Sequence, residues 1–266
     1  MSAASRIEWT EITWNPVTGC DRISAGCDHC YALALARRLK AIGQPKYQAD
    51  GDPRTSGPGF GVTWHWKALE EPYRWGGSRS VFVNSMSDLF HAQVPVAFID
   101  QVLAVCQDTP WHTYQILTKR PGFLAWHLSG FLSRHGPLPN VWFGVSIEHA
   151  KTLHRLPRLQ QAPAALRFLS LEPLLGPLPN LDLEGIGWVI IGGESGPGAR
   201  PLDLEWVRDL RDQARAAGMP TFVKQLGSHW ARANGGHPKG GDPTSWPQDL
   251  RVRQLPARPG FEGRPR

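Results

Sequence analysis

The sequence is poor in cysteine and contains no long apolar run. Only four cysteines occur in 266 residues, whereas a secreted disulfide scaffold carries more cysteines in a shorter chain, so a reducing compartment is favoured. No segment approaches the roughly 18 uninterrupted apolar residues that a transmembrane helix needs, and the first residues contain no apolar stretch that could act as a signal peptide. We therefore expect a soluble, cytoplasmic protein without a membrane partner.

Glycine and proline are too few for a low-complexity chain. The 28 Gly and 24 Pro make up about a fifth of the sequence, below the roughly 25–30% typical of such chains. A hydrophobic share of 41% and 12 Trp are enough for a packed core. The net charge is +6, but residues 251–266 alone contain five Arg and one Glu. This basic end either contacts nucleic acid or an acidic partner or is a solvated tail, and it says nothing about the functional site.

Short apolar segments rich in β-forming residues alternate with helical patterns. The predicted strands are residues 12–14, 80–84, 112–117, 141–145, 166–171, 188–191 and 221–223. Predicted helices cover residues 31–42, 96–107 and 204–217. Strands that are apolar throughout are typical of a parallel sheet covered by helices, because both faces of each strand are buried.

Polar side chains follow nearly every predicted strand at its C-terminal end. They lie in residues 84–88, 118–120, 146–148, 170–172, 192–195 and 224–225. Chemistry at the C-terminal ends of successive parallel strands is typical of a βα barrel, whereas an open doubly wound sheet gathers its ligands at one switch point. We predict an α/β fold, a partial (βα)6-type TIM barrel with a cysteine-rich loop after the first strand and an irregular C-terminal extension. The open sheet is the alternative.

Two regions break the βα pattern. Residues 44–79 form a long segment rich in Gly, Pro and aromatic residues inserted into the predicted barrel of residues 1–228, and a connection of that length indicates a functional lid or loop. Trp64, Trp66 and Trp75 in this segment are either a stacking platform for bases or packing against the barrel. Residues 229–266 are predicted to form a C-terminal extension whose last twelve or so residues are flexible.

Three of the four cysteines, Cys20, Cys27 and Cys30, fall within eleven residues after the first strand. Cys27 and Cys30 are three apart at a predicted helix start, where backbone amides favour the metal-binding thiolate. A zinc site needs a fourth ligand, for which His29 or His91 is available, whereas a four-iron, four-sulfur cluster on three thiolates keeps one iron free for a substrate or cofactor. The position of these cysteines over the mouth of the predicted barrel favours the cluster. Zinc is the alternative, and cysteines that are unligated or disulfide-bonded are a third interpretation.

The whole chain resembles the phage and bacterial three-Cys-motif proteins that are grouped with the radical S-adenosylmethionine superfamily. The resemblance covers roughly residues 7–256 and rests on the phrases IEWTEITWNPVTGC, VFVNSMSDLFH, ILTKRP, VWFGVSIE, RFLSLEPLLGPL, WVIIGGESGPGARP and WPQDLRVRQ. It implies a [4Fe-4S] cluster on Cys20, Cys27 and Cys30, with the amino and carboxylate groups of S-adenosylmethionine chelating the fourth iron. Six residues separate Cys20 from Cys27, whereas three are common in the superfamily.

The resemblance also implies which residues contact S-adenosylmethionine. His29 replaces the aromatic residue that usually lies near the adenine, and segment 84–88, with Ser85, Ser87 and Asp88, faces the amino group. The remaining implied contacts are Lys119 or Arg120 at the carboxylate, Ser146 and Glu148 at the ribose, and Gly192 and Gly193, where the backbone approaches the adenine or methionine moiety.

Glu172 and Glu194 are placed nearer the substrate by the same resemblance, and with Lys119 they are the candidate catalytic residues. Either glutamate could act as a general base or simply pair with Lys119 or Arg120. Two further side-chain groups receive structural interpretations. Cys106 is predicted to be a core residue, and Asp88 and His91 are predicted to make polar loop contacts instead of binding metal.

The function implied is that of a radical S-adenosylmethionine enzyme, whose reduced cluster generates a 5′-deoxyadenosyl radical that abstracts hydrogen from an unknown substrate. A nucleic acid or modified nucleoside is one candidate substrate, since a distant branch of the superfamily, of the spore photoproduct lyase type, repairs DNA. The implied partners are an electron donor such as flavodoxin or ferredoxin and a further partner protein. The alternative is a zinc-binding, non-catalytic nucleic-acid-binding protein, which explains the cysteines but not the polar strand ends.

Overall fold

The computed structural model describes residue 5 and residues 7–258. Its strands, in chain order, are β1 Ile12–Trp14, β2 Val17–Thr18, β3 Thr63–Trp64, β4 Ser80–Val83, β5 Thr113–Thr118, β6 Val141–Ser146, β7 Leu166–Leu171, β8 Trp188–Gly192 and β9 Thr221–Gln225. Its α-helices are α1 Tyr31–Ala41, α2 Val96–Asp108, α3 Leu124–His135, α4 Arg155–Gln160, α5 Leu204–Ala216 and α6 Gly227–Asn234. None of the helices in this described part has the length and apolarity that crossing a bilayer requires.

Seven strands form one parallel sheet in the order β1-β4-β5-β6-β7-β8-β9. Every neighbouring pair of strands is parallel. Each connection therefore runs back to the N-terminal edge of the sheet, and the next strand begins beside the preceding one. Among the described residues β1 and β9 are not paired with each other, so the sheet is a partial barrel. The predicted fold class is confirmed, with seven strands in the sheet.

The predicted elements agree closely with the observed ones. All seven predicted strands and all three predicted helices are present, with ends that differ by no more than two residues. Helices α3, α4 and α6 were not predicted. Gly130 lies within α3 and Pro157 within the six-residue α4, and both residue types weaken a helical pattern in sequence.

The two faces of the sheet carry different cores. Val189 and Ile191 of β8 pack in the large cluster that includes helix residues such as Leu210. The alternate residues of β8, Trp188 and Ile190, lie in a separate aromatic cluster that faces away from the helices. The barrel interior is therefore filled by this cluster, whose members are Trp9, Phe82, Trp142, Phe168, Trp188, Ile190 and Phe222.

The inserted segment 44–79 packs beside α1. Tyr47 and Phe60 contact Ala32 and Ala36 of α1 in a third cluster, and β3 pairs antiparallel with β2. Trp75 packs against Trp14 with ring centroids 6.4 Å apart. Trp64 and Trp66 are 37% and 57% exposed, although the Trp66 ring also contacts Phe98. One of the three tryptophans therefore serves packing, and the other two present much of their surface to solvent.

The C-terminal segment crosses the open side of the barrel. Helix α6 continues past residue 228, and Arg253 forms an antiparallel bridge with Phe222 of β9. Arg258 then forms an ion pair of 3.2 Å with Glu11, just before β1. Arg251 and Arg253 donate to backbone carbonyl groups, so these basic residues are part of the fold. The predicted flexible end lies mostly in residues 259–266, outside the described residues.

Candidate functional site at the barrel mouth

The C-terminal ends of the seven strands form the barrel mouth. Side chains alternate along a strand, so Ser170 and Glu172 face the barrel interior as Phe168 does. They lie two and four residues nearer the mouth. Ser146 of β6 is the register partner of Ser170. Gly144 allows the Phe168 ring to lie across β6, because a Cβ atom there would lie 2.5 Å from that ring. An aromatic floor thus supports a polar mouth.

Glu148, just after β6, is fully buried and fully engaged by protein groups. Its Oε1 accepts from Lys119 Nζ at 2.6 Å and Ser24 Oγ at 2.8 Å, and its Oε2 accepts from Arg155 NH1 at 2.9 Å. Burial alone would raise the pKa of Glu148, but Lys119, Arg155 and the Ser24 hydrogen bond lower it to about 2. Glu148 is therefore a buried carboxylate that joins β5, β6 and the cysteine loop, residues 19–30.

Glu194, just after β8, holds a second part of the cysteine loop. Its carboxylate accepts hydrogen bonds from the guanidinium and the backbone N–H of Arg200 and lies 3.0 Å from His29 Nδ1. Arg200 also donates to the carbonyl oxygen of Ala25 at 2.8 Å. Burial raises the pKa of Glu194, yet the Arg200 and His29 contacts outweigh it and lower the pKa to about 2. His29 thus lies against Glu194 and Arg200, close to Gly198.

Glu172, just after β7, pairs with β9. Lys224 Nζ donates to its Oε1 at 2.7 Å, and Gln225 Nε2 donates at 3.2 Å. Gly192 lies against this carboxylate, since a Cβ atom there would be 3.2 Å from Glu172 Oε1. At Gly193 a Cβ atom would be 2.6 Å from the Leu226 carbonyl oxygen. Both glycines therefore allow close packing of β7, β8 and the β9–α6 connection.

The segment after β4 is fixed by the β1–β2 connection. Asn15 Oδ1 accepts from Ser85 Oγ at 3.2 Å, and Ser87 Oγ donates to the Val17 carbonyl oxygen at 2.7 Å. Asn84 adopts a left-handed backbone, with φ of 62°, and accepts from Val17 N–H. Its Nδ2 is buried and has no hydrogen-bond acceptor among the described residues. That amide is an unused donor at the end of β4.

Asp88 and His91 make polar loop contacts, as the sequence predicts. Asp88 accepts from Thr118 Oγ1 at 2.7 Å and from the Lys119 N–H at 3.0 Å. His91 Nε2 lies 3.0 Å from Asp21 Oδ2, beside the cysteine loop. Arg120 donates to the Asp21 carbonyl oxygen at 3.3 Å. These contacts connect the ends of β4 and β5 to the residue that follows Cys20.

Cys20, Cys27 and Cys30 lie close enough for their charges to interact. Burial raises the pKa of Cys20 to about 12; Asp88, Cys27 and Cys30 add to this increase, whereas Arg120 opposes it. Burial also raises the pKa of Cys30, with the Ala32 and Leu33 N–H groups and Lys119 opposing. At Cys30, desolvation outweighs the helix amides, so the pKa of the thiol is raised.

The cysteines occupy different local structures. Cys27 ends a short 3-10 helix, Ala25–Cys27, and Cys30 is the N-cap of α1. No group of three or more His, Cys, Asp or Glu side chains within residues 7–258 is placed to hold a metal ion. Cys106 is fully buried in α2 and packs in the core, as predicted.

The structure brings most of the sequence-predicted residues to the mouth, but it pairs them with residues that the sequence analysis did not single out. These are Ser24, Arg155 and Arg200. Lys224, predicted only as a polar strand end, pairs with Glu172. Lys119 pairs with Glu148, and neither Glu172 nor Glu194 pairs with Lys119 or Arg120. A signal was present for Arg200, since an arginine that closes the Gly-rich phrase GGESGPGAR can fold back onto its glutamate.

Solved structures of spore photoproduct lyase are similar to part of this chain. The complex with dinucleoside spore photoproduct matches with a TM-score of 0.46 and 12% identity, covering 81% of this chain and 64% of that one. A mutant with bound AdoMet and the same dinucleoside matches with a TM-score of 0.44 and 11% identity, covering 81% and 64%. A cysteine-to-serine mutant matches with a TM-score of 0.45 and 12% identity, covering 72% and 58%. This chain thus spans less than two thirds of the length of each of these three lyase chains.

No curated protein matches the chain. One family model does, over residues 4–254. That match includes the cysteine loop, all seven strands of the barrel and the segment that crosses its open side as far as residue 254. The chain therefore belongs to the family described as "Protein of unknown function (DUF5131)".

Proposed function

We propose that the protein is a radical S-adenosylmethionine enzyme that holds a [4Fe-4S] cluster on Cys20, Cys27 and Cys30. The observation that carries the proposal is the attachment of the cysteine loop to two strand ends of a parallel partial barrel. Ser24 donates to Glu148 after β6, and Arg200, held by Glu194 after β8, donates to the Ala25 carbonyl oxygen. These contacts keep the three thiols beside the barrel mouth, where βα-barrel enzymes carry their chemistry.

The donor set fits a cluster better than a single ion. Cys27 and Cys30 raise the pKa of Cys20, and Cys27 raises that of Cys30, so the three thiols share one region of the structure. Thiolates of a four-iron cluster bind three different irons and stand farther apart than the ligands of one zinc ion, which converge on a single centre. A zinc ion would also need a fourth ligand, and the two histidines available for it, His29 and His91, contact Glu194 and Asp21 instead. Cys27 is buried and the other two cysteines are partly buried, which suits a cluster, whose potential depends on solvent exclusion.

When bound, the cluster and S-adenosylmethionine would supply a 5′-deoxyadenosyl radical for hydrogen abstraction. Asn84 Nδ2, a buried donor without an acceptor in the described part of the chain, supports a polar contact to the cofactor from the end of β4. Glu148 is saturated by protein groups, which supports a positioning role for it in place of a ribose contact. Glu172, with Lys224, remains the proposed catalytic carboxylate on the substrate side.

For the substrate we propose a nucleic acid or a modified nucleoside. The support is the exposure of the Trp64 and Trp66 rings in the inserted segment. Trp64 lies in β3, which pairs with β2, the strand directly before the cysteine loop. Exposed indole rings stack on bases without sequence preference.

Anaerobic reconstitution with iron and sulfide tests the proposal. Wild-type protein should bind about four irons per chain and release 5′-deoxyadenosine from S-adenosylmethionine after reduction. Cys27→Ala should lose most of the iron and all of the cleavage, whereas Cys106→Ala, a matched cysteine change in the core of α2, should retain both. A colourless wild-type protein that binds one zinc, or equal iron loss in the two variants, would contradict the proposal.

A further inference from the structure

Helix α1 presents an apolar stripe to solvent. Tyr31, Leu35 and Ile42 are 49%, 39% and 66% exposed. Their spacing of four and seven residues places them on one face of the helix, together with Arg38. An exposed apolar surface rimmed by charge marks an interaction site more often than an isolated exposed residue does.

A neighbouring face of α1 is already occupied. Ala32 and Ala36 are buried against Tyr47 and Phe60 of the inserted segment. Lys40, near the same side, forms an ion pair with Asp50 at 2.5 Å. The Tyr31–Leu35–Ile42 stripe, in contrast, stays 39% to 66% exposed among residues 7–258. It is therefore accessible to another molecule.

The stripe carries uncompensated positive charge. Helix α1 contains no acidic residue. Arg38 lies on the stripe and Arg37 on the adjoining surface of the helix. Both are exposed, and neither forms an ion pair with a carboxylate in the described part of the chain. The two arginines would therefore attract an acidic partner, and α1 has no carboxylate that would repel it.

The position of the stripe decides which acidic partner fits it. Cys30 is the N-cap of α1, so Tyr31 follows a proposed cluster ligand directly, and its hydroxyl donates to the Ser85 carbonyl oxygen at the mouth. Electron transfer becomes steeply slower with distance, so a protein that reduces the cluster must dock beside it. Given the proposed function, we infer that the Tyr31–Arg38 face of α1 is the docking surface for a small acidic one-electron carrier protein of the flavodoxin or ferredoxin type.

The chemistry of the surface suits such a partner. Redox encounters bury little area and are transient, and their rates depend on complementary charge that steers the two proteins together. The aliphatic side chains of Leu35 and Ile42 favour a protein over a nucleic acid, which would bind through stacked aromatic rings and phosphate contacts.

The charge-reversal variant Arg37→Glu/Arg38→Glu tests the docking surface. Its control, Arg158→Glu/Arg215→Glu, changes two exposed helical arginines of α4 and α5 by the same total charge. The first measurement is the affinity of each protein, without cluster, for an acidic bacterial flavodoxin by interferometry. The second is the rate at which flavodoxin hydroquinone or dithionite reduces the reconstituted cluster at several salt concentrations.

We expect Arg37→Glu/Arg38→Glu to bind flavodoxin about tenfold or more weakly and to be reduced by it correspondingly slowly at low salt, with the difference shrinking as salt increases. Reduction by dithionite and the control variant should match the wild type. The inference is overturned if both double variants bind flavodoxin equally, if the wild type does not bind it, or if α1 charge reversal weakens only binding of a single-stranded oligonucleotide. Failure of the proposed function would appear separately, as a wild-type protein that holds no cluster.

Discussion

Ser24 Oγ donates a 2.8 Å hydrogen bond to Glu148 Oε1 across 124 residues of sequence. Gly26 lies against the same carboxylate, and Lys119 and Arg155 neutralise it from the barrel side. One fully buried side chain thus connects the cysteine loop to the ends of β5 and β6. The position of the loop depends on this carboxylate as much as on the loop's own sequence, which leads to four predictions.

Glu148→Gln should destabilise the fold by about 3 kcal/mol, because Lys119 and Arg155 would keep buried or half-buried charges without their counter-ion. Urea unfolding of the wild type and the variant measures the difference. Glu205→Gln, an exposed change in the first turn of α5, is the control and should shift stability by less than about 0.5 kcal/mol. Similar small effects for both variants would show that the buried carboxylate is not important for stability.

Stability should fall as the pH is lowered. Glu148 and Glu194 have folded pKa values of about 2 against an ordinary value of 4.5. Because their pKa is lower in the folded state, their contribution is complete above about pH 5 and is lost as the pH falls toward 2. Urea midpoints between pH 7 and pH 3 should therefore decrease, and Glu148→Gln should show a shallower decrease. Parallel slopes for wild type and variant would argue against a lowered pKa at Glu148.

Gly26→Ala should displace the cysteine loop, because its Cβ would lie 2.5 Å from Glu148 Cγ. Overpacking of this kind costs about 1–3 kcal/mol, and iron content after reconstitution should fall with it. Gly76→Ala is the matched control, since its Cβ would meet no atom within 4 Å. Thermal unfolding and iron analysis of both variants check the result, and full iron content in Gly26→Ala would contradict it.

Arg200→Lys should loosen the cysteine loop while keeping the charge. Lysine lacks the planar fork with which Arg200 binds Glu194 and the Ala25 carbonyl oxygen together. Trypsin should then cut more quickly after Arg22, which is exposed in the loop. Arg208→Lys, in α5, is the control. Equal cleavage rates at Arg22 in the two variants would show that Arg200 does not restrain the loop.

The local structure and its periodic arrangement follow from the amino-acid sequence alone. The apolar strands, the helices between them and the polar residues at strand ends are patterns of a few neighbouring residues. They can therefore be recognised without knowing the fold. From them follow the parallel partial barrel, the location of the mouth and the presence of the cysteine loop beside it. Cys106 was likewise predictable as a core residue, because its helical neighbours repeat on one face.

Which charged side chains pair with each other depends on the tertiary structure. Glu148, Glu172 and Glu194 are similar in sequence context, yet they pair with Lys119, Lys224 and Arg200, respectively. The choice depends on strand register and on how the loops fold back across the mouth, which are properties of contacts between residues far apart in the chain. The same holds for the C-terminal arginines, for which the sequence left open a contact with nucleic acid, a contact with an acidic partner or a solvated tail. Arg253 and Arg258 lie along β9 and against Glu11 because backbone pairing and an ion pair hold that segment in place.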